Sequence, residues 1–274
     1  MIPKIIHYCW FGGKPLSDLA EKCIASWKKY CPDYELILWN ETNCNINIIP
    51  FTTQAAKNGK WAFVTDYIRA YAIFSYGGIY LDVDVELLKP FSNDILQNNC
   101  FSGFEDDKYV NPGNIFAGEK GCFISKELMD FYSSYNFIRK SGKLNTTPIP
   151  KIFSNILLKY GLIQNNSYQN LGVITVYPAE YFCPKNFHTG ILSVTKNTYS
   201  IHHFNGSWCS EDRHKSTNER WDFYKKYGND EYVVNMYKKI KDYEKKTVDN
   251  VPLRLLYKTA IKRTIKRILK IFKK

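Results

Sequence analysis

Between Trp61 and Leu88 the chain changes its hydrophobic period, and it does so at Gly77-Gly78. Ahead of the glycine pair a helix is predicted from about Trp61 to Tyr76, with the glycines as its C-terminal cap. Beyond it, Ile79, Leu81, Val83 and Val85 alternate with Tyr80, Asp82, Asp84 and Glu86. A period of two predicts a strand over 79–88 with one apolar and one acidic face. The N-terminus gives the same alternation of element types. Residues 2–11, IPKIIHYCWF, form a buried first strand ending at Gly12-Gly13. Leu16, Leu19, Ala20, Cys23, Ile24 and Trp27 recur at helical spacing, which predicts a helix over about 17–30, stopped by Cys31-Pro32-Asp33. Tyr34 to Trp39 is then a short apolar strand. Strand, helix, strand is the start of a parallel α/β sheet.

Further on the signals are weaker. The Asn-rich stretch 40–50 is expected to be a loop, and the glycines and asparagines of 101–122 point to loops at one edge of the sheet. Helices are expected over 124–140 and 152–160, and strands over 175–183 and 199–204. At 274 residues with 45% hydrophobic content, the chain can bury one sizeable core. One catalytic domain, 1–250, with an appendage, 251–274, is the expected organisation.

The net charge of +12 suggests nucleic acid until it is located. Nine basic residues and no acid lie between Val251 and Lys274, and taking these nine from +12 leaves +3 for residues 1–250. No aromatic-interleaved basic sheet accompanies them, so no nucleic-acid partner is expected. Tyr257, Ile261, Ile265, Ile268 and Phe272 would form one stripe on a helix, which predicts a basic amphipathic helix lying on an anionic membrane surface. The eight cysteines show no CxxC pair or zinc-finger spacing and are read as reduced core thiols. Neither a signal peptide nor a spanning segment of about 18 uncharged apolar residues is found, so the expected location is cytoplasmic, peripheral to the inner face of the membrane.

Asp82 and Asp84, two apart on a strand face, would have Cα atoms roughly 6–7 Å apart, a separation that a divalent cation and its waters can bridge. Alone the pair means little, since 14 Asp in 274 residues give about 0.7 such matches by chance. Its surroundings add weight: Asp66 and Arg69 share a helix face at i, i+3, and Trp10 closes the first strand.

The segments IPKIIHYCWFGGKP (2–15), SWKKYCPDYELILWN (26–40), FVTDYIRAYAIFSYGGIYLDVDVELLKP (63–90), ITVYPAEYFCP (174–184) and IHHFNGSW (201–208) together resemble glycosyltransferase family 32. More distantly they resemble the catalytic domains of clostridial glucosylating toxins. The resemblance implies a GT-A fold, a Rossmann-like α/β sheet binding a nucleotide sugar, most simply a UDP-sugar, with Mn²⁺ or Mg²⁺ against the diphosphate. It implies that Asp84 binds metal directly, with Asp82 at the ribose, the sugar or a metal-bound water. Asp66 and Arg69 would hold sugar hydroxyls and phosphate, Trp10 would stack on the base, and Tyr80 would flank the donor.

Of the adjacent His202 and His203 only one can reach the site, because neighbours on a strand face opposite ways. Family position favours His203 as a ligand on the metal or a donor to the diphosphate, with Ser207 and Trp208 on a closing loop. The stretch 111–118 would line the donor sugar, with Asn114 in contact. The chain departs from the family at Thr147-Pro148-Ile149-Pro150 and at Cys122-Phe123, so the acceptor is the least transferable part. The implied reaction is sugar transfer with retained anomeric configuration to a carbohydrate acceptor, taken as lipid-linked in surface polysaccharide assembly. Two other readings stand beside it: a non-catalytic membrane- or polyanion-binding protein acting through its tail, and a transferase that glycosylates a protein.

Overall fold

The computed structural model describes residues 1–206, 209 and 211–247. The chain divides into two compact units, Met1–Trp221 and Asp222–Lys274. The boundary expected after residue 250 and the predicted tail helix over 251–274 lie outside the described residues.

The first unit opens with β1 (Ile5–Cys9), α1 (Asp18–Tyr30), β2 (Glu35–Trp39), α2 (Pro50–Lys57) and α3 (Trp61–Tyr76). The Ser17 hydroxyl caps α1 by accepting from the Ala20 N–H at 3.3 Å. Then follow β3 (Gly78–Tyr80), β4 (Val85–Leu87), α4 (Asn93–Leu96), β5 (Cys100–Gly103), β6 (Phe116–Gly118), α5 (Phe123–Ser133) and α6 (Ile149–Leu158). The unit continues with β7 (Gln169–Asn170), β8 (Thr175–Tyr177), α7 (Ala179–Phe182) and β9 (Ser200–His202). Helix α8 (Glu211–Tyr227) carries the boundary between the units, and α9 (Glu231–Thr247) belongs to the second. There the rings of Phe223 and Tyr224 pack on Tyr237 with centroids 5.0 and 5.3 Å apart. No helix among the described residues is long and apolar enough to cross a membrane.

Seven strands form one sheet in the order β2-β1-β3-β6-β5-β8-β7. β1 is parallel to β2 and β3, β6 is antiparallel to both β3 and β5, and β5 is parallel to β8. It follows that β2, β1, β3, β5 and β8 all run the same way, and their carboxyl ends share one edge. Alternate residues feed two cores. Tyr80, Cys100 and Phe116 pack with α2, α3, α5 and α6, while Ile79, Phe101 and Ala117 pack with Trp27 and its neighbours on α1. The eight cysteines are free, six of them buried.

Three expectations need correction. Residues 101–122 are not all loop: β5 and β6 lie inside the sheet. Nor is 79–88 one strand. β3 belongs to the large sheet and β4 pairs instead with β9, because the chain turns between them, the Val85 N–H donating to the Asp82 carbonyl at 3.0 Å. The alternating apolar positions Ile79, Leu81, Val85 and Leu87 still reach one core, and only Val83 fails to. The strand expected over 175–183 likewise stops at Tyr177, and Pro178 starts the short helix α7.

Candidate functional site

The carboxyl edge of the sheet collects the residues that could carry chemistry. Trp10 follows β1 directly, half-buried, with its indole N–H donating to the Lys14 carbonyl at 2.6 Å. Tyr80 ends β3, fully buried, and its hydroxyl donates to Asp82 Oδ1 at 2.8 Å. Gly78, which starts that strand at φ +110°, lets it lie close on β1, since a Cβ there would stand 2.7 Å from the Ile5 carbonyl oxygen.

Arg69 and Asp66 come from α3, which is buried around most of its circumference, so they are not a surface pair. The Arg69 guanidinium lies 4.8 Å over the Tyr80 ring, with Nη2 3.2 Å from Asp82 Oδ1 and 3.4 Å from Asp66 Oδ1. Its Nη1 is buried and has no hydrogen-bond partner among the described residues. Burial pushes the Asp66 carboxyl up to about 7 against the pull of Arg69. Gly113 presses on the same group from above. Its carbonyl accepts from the Asp82 N–H at 3.0 Å, and any Cβ on it would collide with Asp82 Oδ2 and with Arg69 Nη1.

Asp84 lies in the turn, and the β4–β9 pairing sets His202 opposite Val85. His202 Nε2 is thereby 3.1 Å from Asp84 Oδ1, while Oδ2 accepts from the Asn205 N–H at 2.7 Å. Burial works against the His202 imidazolium, but the charge and hydrogen bond of Asp84 outweigh it and hold the ring well above its usual range. Burial likewise opposes the Asp84 carboxylate, and His202 with the Asn205 N–H brings it below the ordinary value. Alternation sends His203 the other way: its Nε2 meets Glu86 at 2.8 Å. The imidazole beside the acids is therefore His202 rather than the expected His203, because β9 pairs in a register that no local pattern reveals. Lys185 stands nearby, its Nζ donating to the His203 carbonyl at 3.0 Å and 3.8 Å from the Trp221 ring.

One ligand atom each from Asp82, Asp84 and His202 lie within 4.8 Å of one another. Two carboxylate oxygens and an imidazole nitrogen are a donor set suited to a divalent cation.

Asn114, expected at the donor sugar, is fully buried, and among the described residues its amide meets only the neighbouring Cys183 thiol. Ser207 and Trp208 lie outside the described residues. Sequence reasoning missed His202 and Glu105, and it held Gly113 only as an unnamed member of the stretch 111–118. The His-His doublet signalled the first, and the other two sit in the stretch taken for loops. Glu105 stands two residues past β5, its Oε2 accepting from Asn111 Nδ2 at 2.7 Å.

Among solved structures, the chain is similar to the PaToxG glycosyltransferase, at 18% identity over 58% of this chain and 69% of that one, with a TM-score of 0.43. It is similar also to a glycosyltransferase involved in the glycosylation of the major capsid of PBCV-1, at 13% identity, 79% and 100% coverage and a TM-score of 0.43. Among curated proteins it is 35% identical over 92 residues to inositol phosphoceramide mannosyltransferase 3 of Schizosaccharomyces pombe, covering 31% of this chain. The chain spans about a quarter of that relative's length, 24%. Residues 17–102, which contain Asp66, Arg69, Asp82 and Asp84, match the family described as the glycosyltransferase sugar-binding region containing a DXD motif.

Proposed function

We propose that the chain is a divalent-metal-dependent glycosyltransferase of GT-A type that moves a sugar from a nucleotide sugar to a carbohydrate or lipid-linked acceptor with retention. The observation that carries this reading is the Asp82, Asp84 and His202 cluster at the carboxyl edge of a mostly parallel sheet. The family match over 17–102 supports it. Ligands of open α/β sheets bind outside the carboxyl ends of the strands.

The slow event in such a transfer is departure of the nucleoside diphosphate, on which negative charge grows. A divalent cation bound by Asp82, Asp84 and His202 would supply Lewis-acid stabilisation of that charge. Around it, the protein's residues hold the geometry. Arg69 and the Tyr80 hydroxyl fix Asp82, the Asn205 N–H fixes Asp84, and the free Arg69 Nη1 is a donor for the ligand. Trp10 supplies an aromatic face for the base one strand away. The yeast relative is named for mannosyl transfer with inositol phosphoceramide, which adds GDP-mannose to the UDP-sugars as candidate donors and supports a lipid acceptor.

The test is a thermal shift with Mn²⁺ and UDP or GDP, followed by hydrolysis assays over UDP-hexoses and GDP-mannose. A metal-dependent shift with turnover of one donor supports the reading. No shift and no turnover with any of them would sink it. The membrane part of the reading concerns 251–274: the full chain should sediment with anionic vesicles, release with salt, and lose binding when cut after Asn250. Equal sedimentation by the truncated chain would remove the tail from the function.

A further inference from the structure

The strand order gives the carboxyl edge a direction. Trp10 follows β1, Asp82 follows β3 on the next position, and Glu105 follows β5, two positions further along the same line. At a spacing of about 4.8 Å per strand, Glu105 stands about 10 Å beyond β3, on the side away from Trp10. A nucleotide sugar is a linear object too: base, diphosphate, sugar. With its diphosphate at Asp82, Asp84 and His202 and its base toward Trp10, its sugar lies over β6 and β5.

Glu105 is fixed in place by its surroundings. The bridge between Phe104 and Val110 closes the loop that carries it, and the Glu105 N–H donates to the Tyr109 carbonyl at 2.7 Å. Asn111 clamps one carboxylate oxygen, Oε2, and its own Oδ1 accepts from the Gly113 N–H at 2.7 Å, which links Glu105 to the loop pressed on Asp82. No Lys or Arg pairs with Glu105 among the described residues, and its Oε1 accepts no hydrogen bond from them. Burial pushes the carboxyl up to about 7, with the nearby His202 pulling the other way. Glu105 is partly buried, and its unused Oε1 is not among the buried unpaired atoms, so this oxygen stays open to a ligand. Asp82, Asp84 and Asp66 each have a described partner that accounts for them; Glu105 has only one weak neutral donor.

We infer that Glu105, oriented by Asn111, accepts a hydrogen bond from a hydroxyl of the sugar being transferred, and so helps to decide which sugar the protein takes. The inference rests on the glycosyltransferase reading above. A hydroxyl suits this place, since it donates to the free oxygen without bringing charge. A site built to pair a substrate hydroxyl also rejects analogues lacking it at that position, because a bound analogue would take the carboxyl out of water and leave it unpaired.

Titration calorimetry with Mn²⁺ present tests this on the full chain. The ligands are UDP, GDP, and the UDP-glucose, UDP-galactose or GDP-mannose that the wild type binds more tightly than the bare diphosphate. Glu105→Gln keeps an oxygen for Asn111 but turns the free oxygen into a donor; Glu105→Asp keeps the charge but draws it back by one methylene. Both variants should bind the nucleoside diphosphate as the wild type does, which also reports that they are folded, and should lose about tenfold or more in affinity for the nucleotide sugar. Equal losses for diphosphate and nucleotide sugar would mean that Glu105 only supports the loop, and would overturn the inference. Unchanged affinity for the nucleotide sugar in both variants would overturn it as well, while leaving the glycosyltransferase reading intact. A wild type that binds neither diphosphate nor sugar nucleotide would overturn that reading and this inference with it.

Discussion

Asp84 is a buried anion with both oxygens engaged, whereas the Asp82 side chain keeps 27% of its exposure. Asn at 84 keeps the shape and one acceptor for the Asn205 N–H but removes the charge that a cation needs. Asp84→Asn is therefore expected to fold and to lose Mn²⁺ binding, read from the spectrum of the free ion; undiminished Mn²⁺-dependent turnover would show that the cluster is not the metal site. The two histidines divide in the same assay. His202→Ala should weaken Mn²⁺ about tenfold or more, and His203→Ala, which loses only a contact to Glu86, should change it little. At this scale the site was only partly legible in the sequence. Spacing put Asp82 with Asp84 on one face, put Asp66 with Arg69 on another, and allowed at most one of the two histidines at the site; that these residues share a site was implied by the family resemblance. Which histidine it is did not follow, because it depends on β9 pairing with β4 across more than a hundred residues. Glu105 and Gly113 were hidden for a different reason: a side chain's solvation and a neighbour's approach are properties of the packed site, and neither leaves a periodic trace.

The elements that carry Asp84 raise an edge problem. β4 has β9 on one side, and its outward backbone groups would be bare on the other. α1 covers them with side chains: the Trp27 indole N–H donates to the Val85 carbonyl at 2.7 Å, and the Ser26 hydroxyl accepts from the Leu87 N–H at 2.9 Å. Trp27 is wholly buried, so Phe at this position keeps most of the packing and deletes the donor. Trp27→Phe should cost about 1–3 kcal/mol in urea unfolding, the usual loss for a buried acceptor left unmet. It should also weaken Mn²⁺ binding, since Val85 adjoins Asp84. Unaltered stability would mean that water replaces the indole at that edge. α1 and α3 were legible because thirteen and sixteen residues repeat a helical period several times over. β5 and β6, with four and three residues among glycines and asparagines, offer at most two full alternations. Their place in the sheet comes from pairing with β3 and β8, which local pattern cannot supply. The break between β3 and β4 was invisible for the converse reason, since both halves keep the same alternation.

Across the whole first unit, one buried histidine ties three elements together and makes stability depend on pH. His7, in β1, is fully buried. Its Nδ1 accepts from the Trp39 indole N–H at 3.2 Å, so the proton sits on Nε2, which donates to the Gly77 carbonyl at 2.8 Å. β1, β2 and the end of α3 thus meet at one neutral ring. A second proton would have to enter at Nδ1, against the Trp39 N–H. Burial lowers the His7 pKa to about 4, the Gly77 bond offsetting only part of it, from 6.5. Between those two values the unfolded chain binds the proton and the folded chain does not, so stability falls as pH drops from 6.5 toward 4. Asp66 and Glu105, both raised to about 7 by burial, act in the opposite sense. Their folded forms take up protons before the unfolded chain does, and acid stabilises them. The wild-type profile therefore mixes both signs, and only a difference isolates His7. His7→Gln keeps a donor for Gly77 and does not titrate. The stability of the wild type relative to this variant, from urea unfolding, should fall by about 3 kcal/mol between pH 7 and pH 4. A difference that stays flat across that range would mean that His7 is protonated in the folded protein, and that the Trp39 contact does not fix its tautomer.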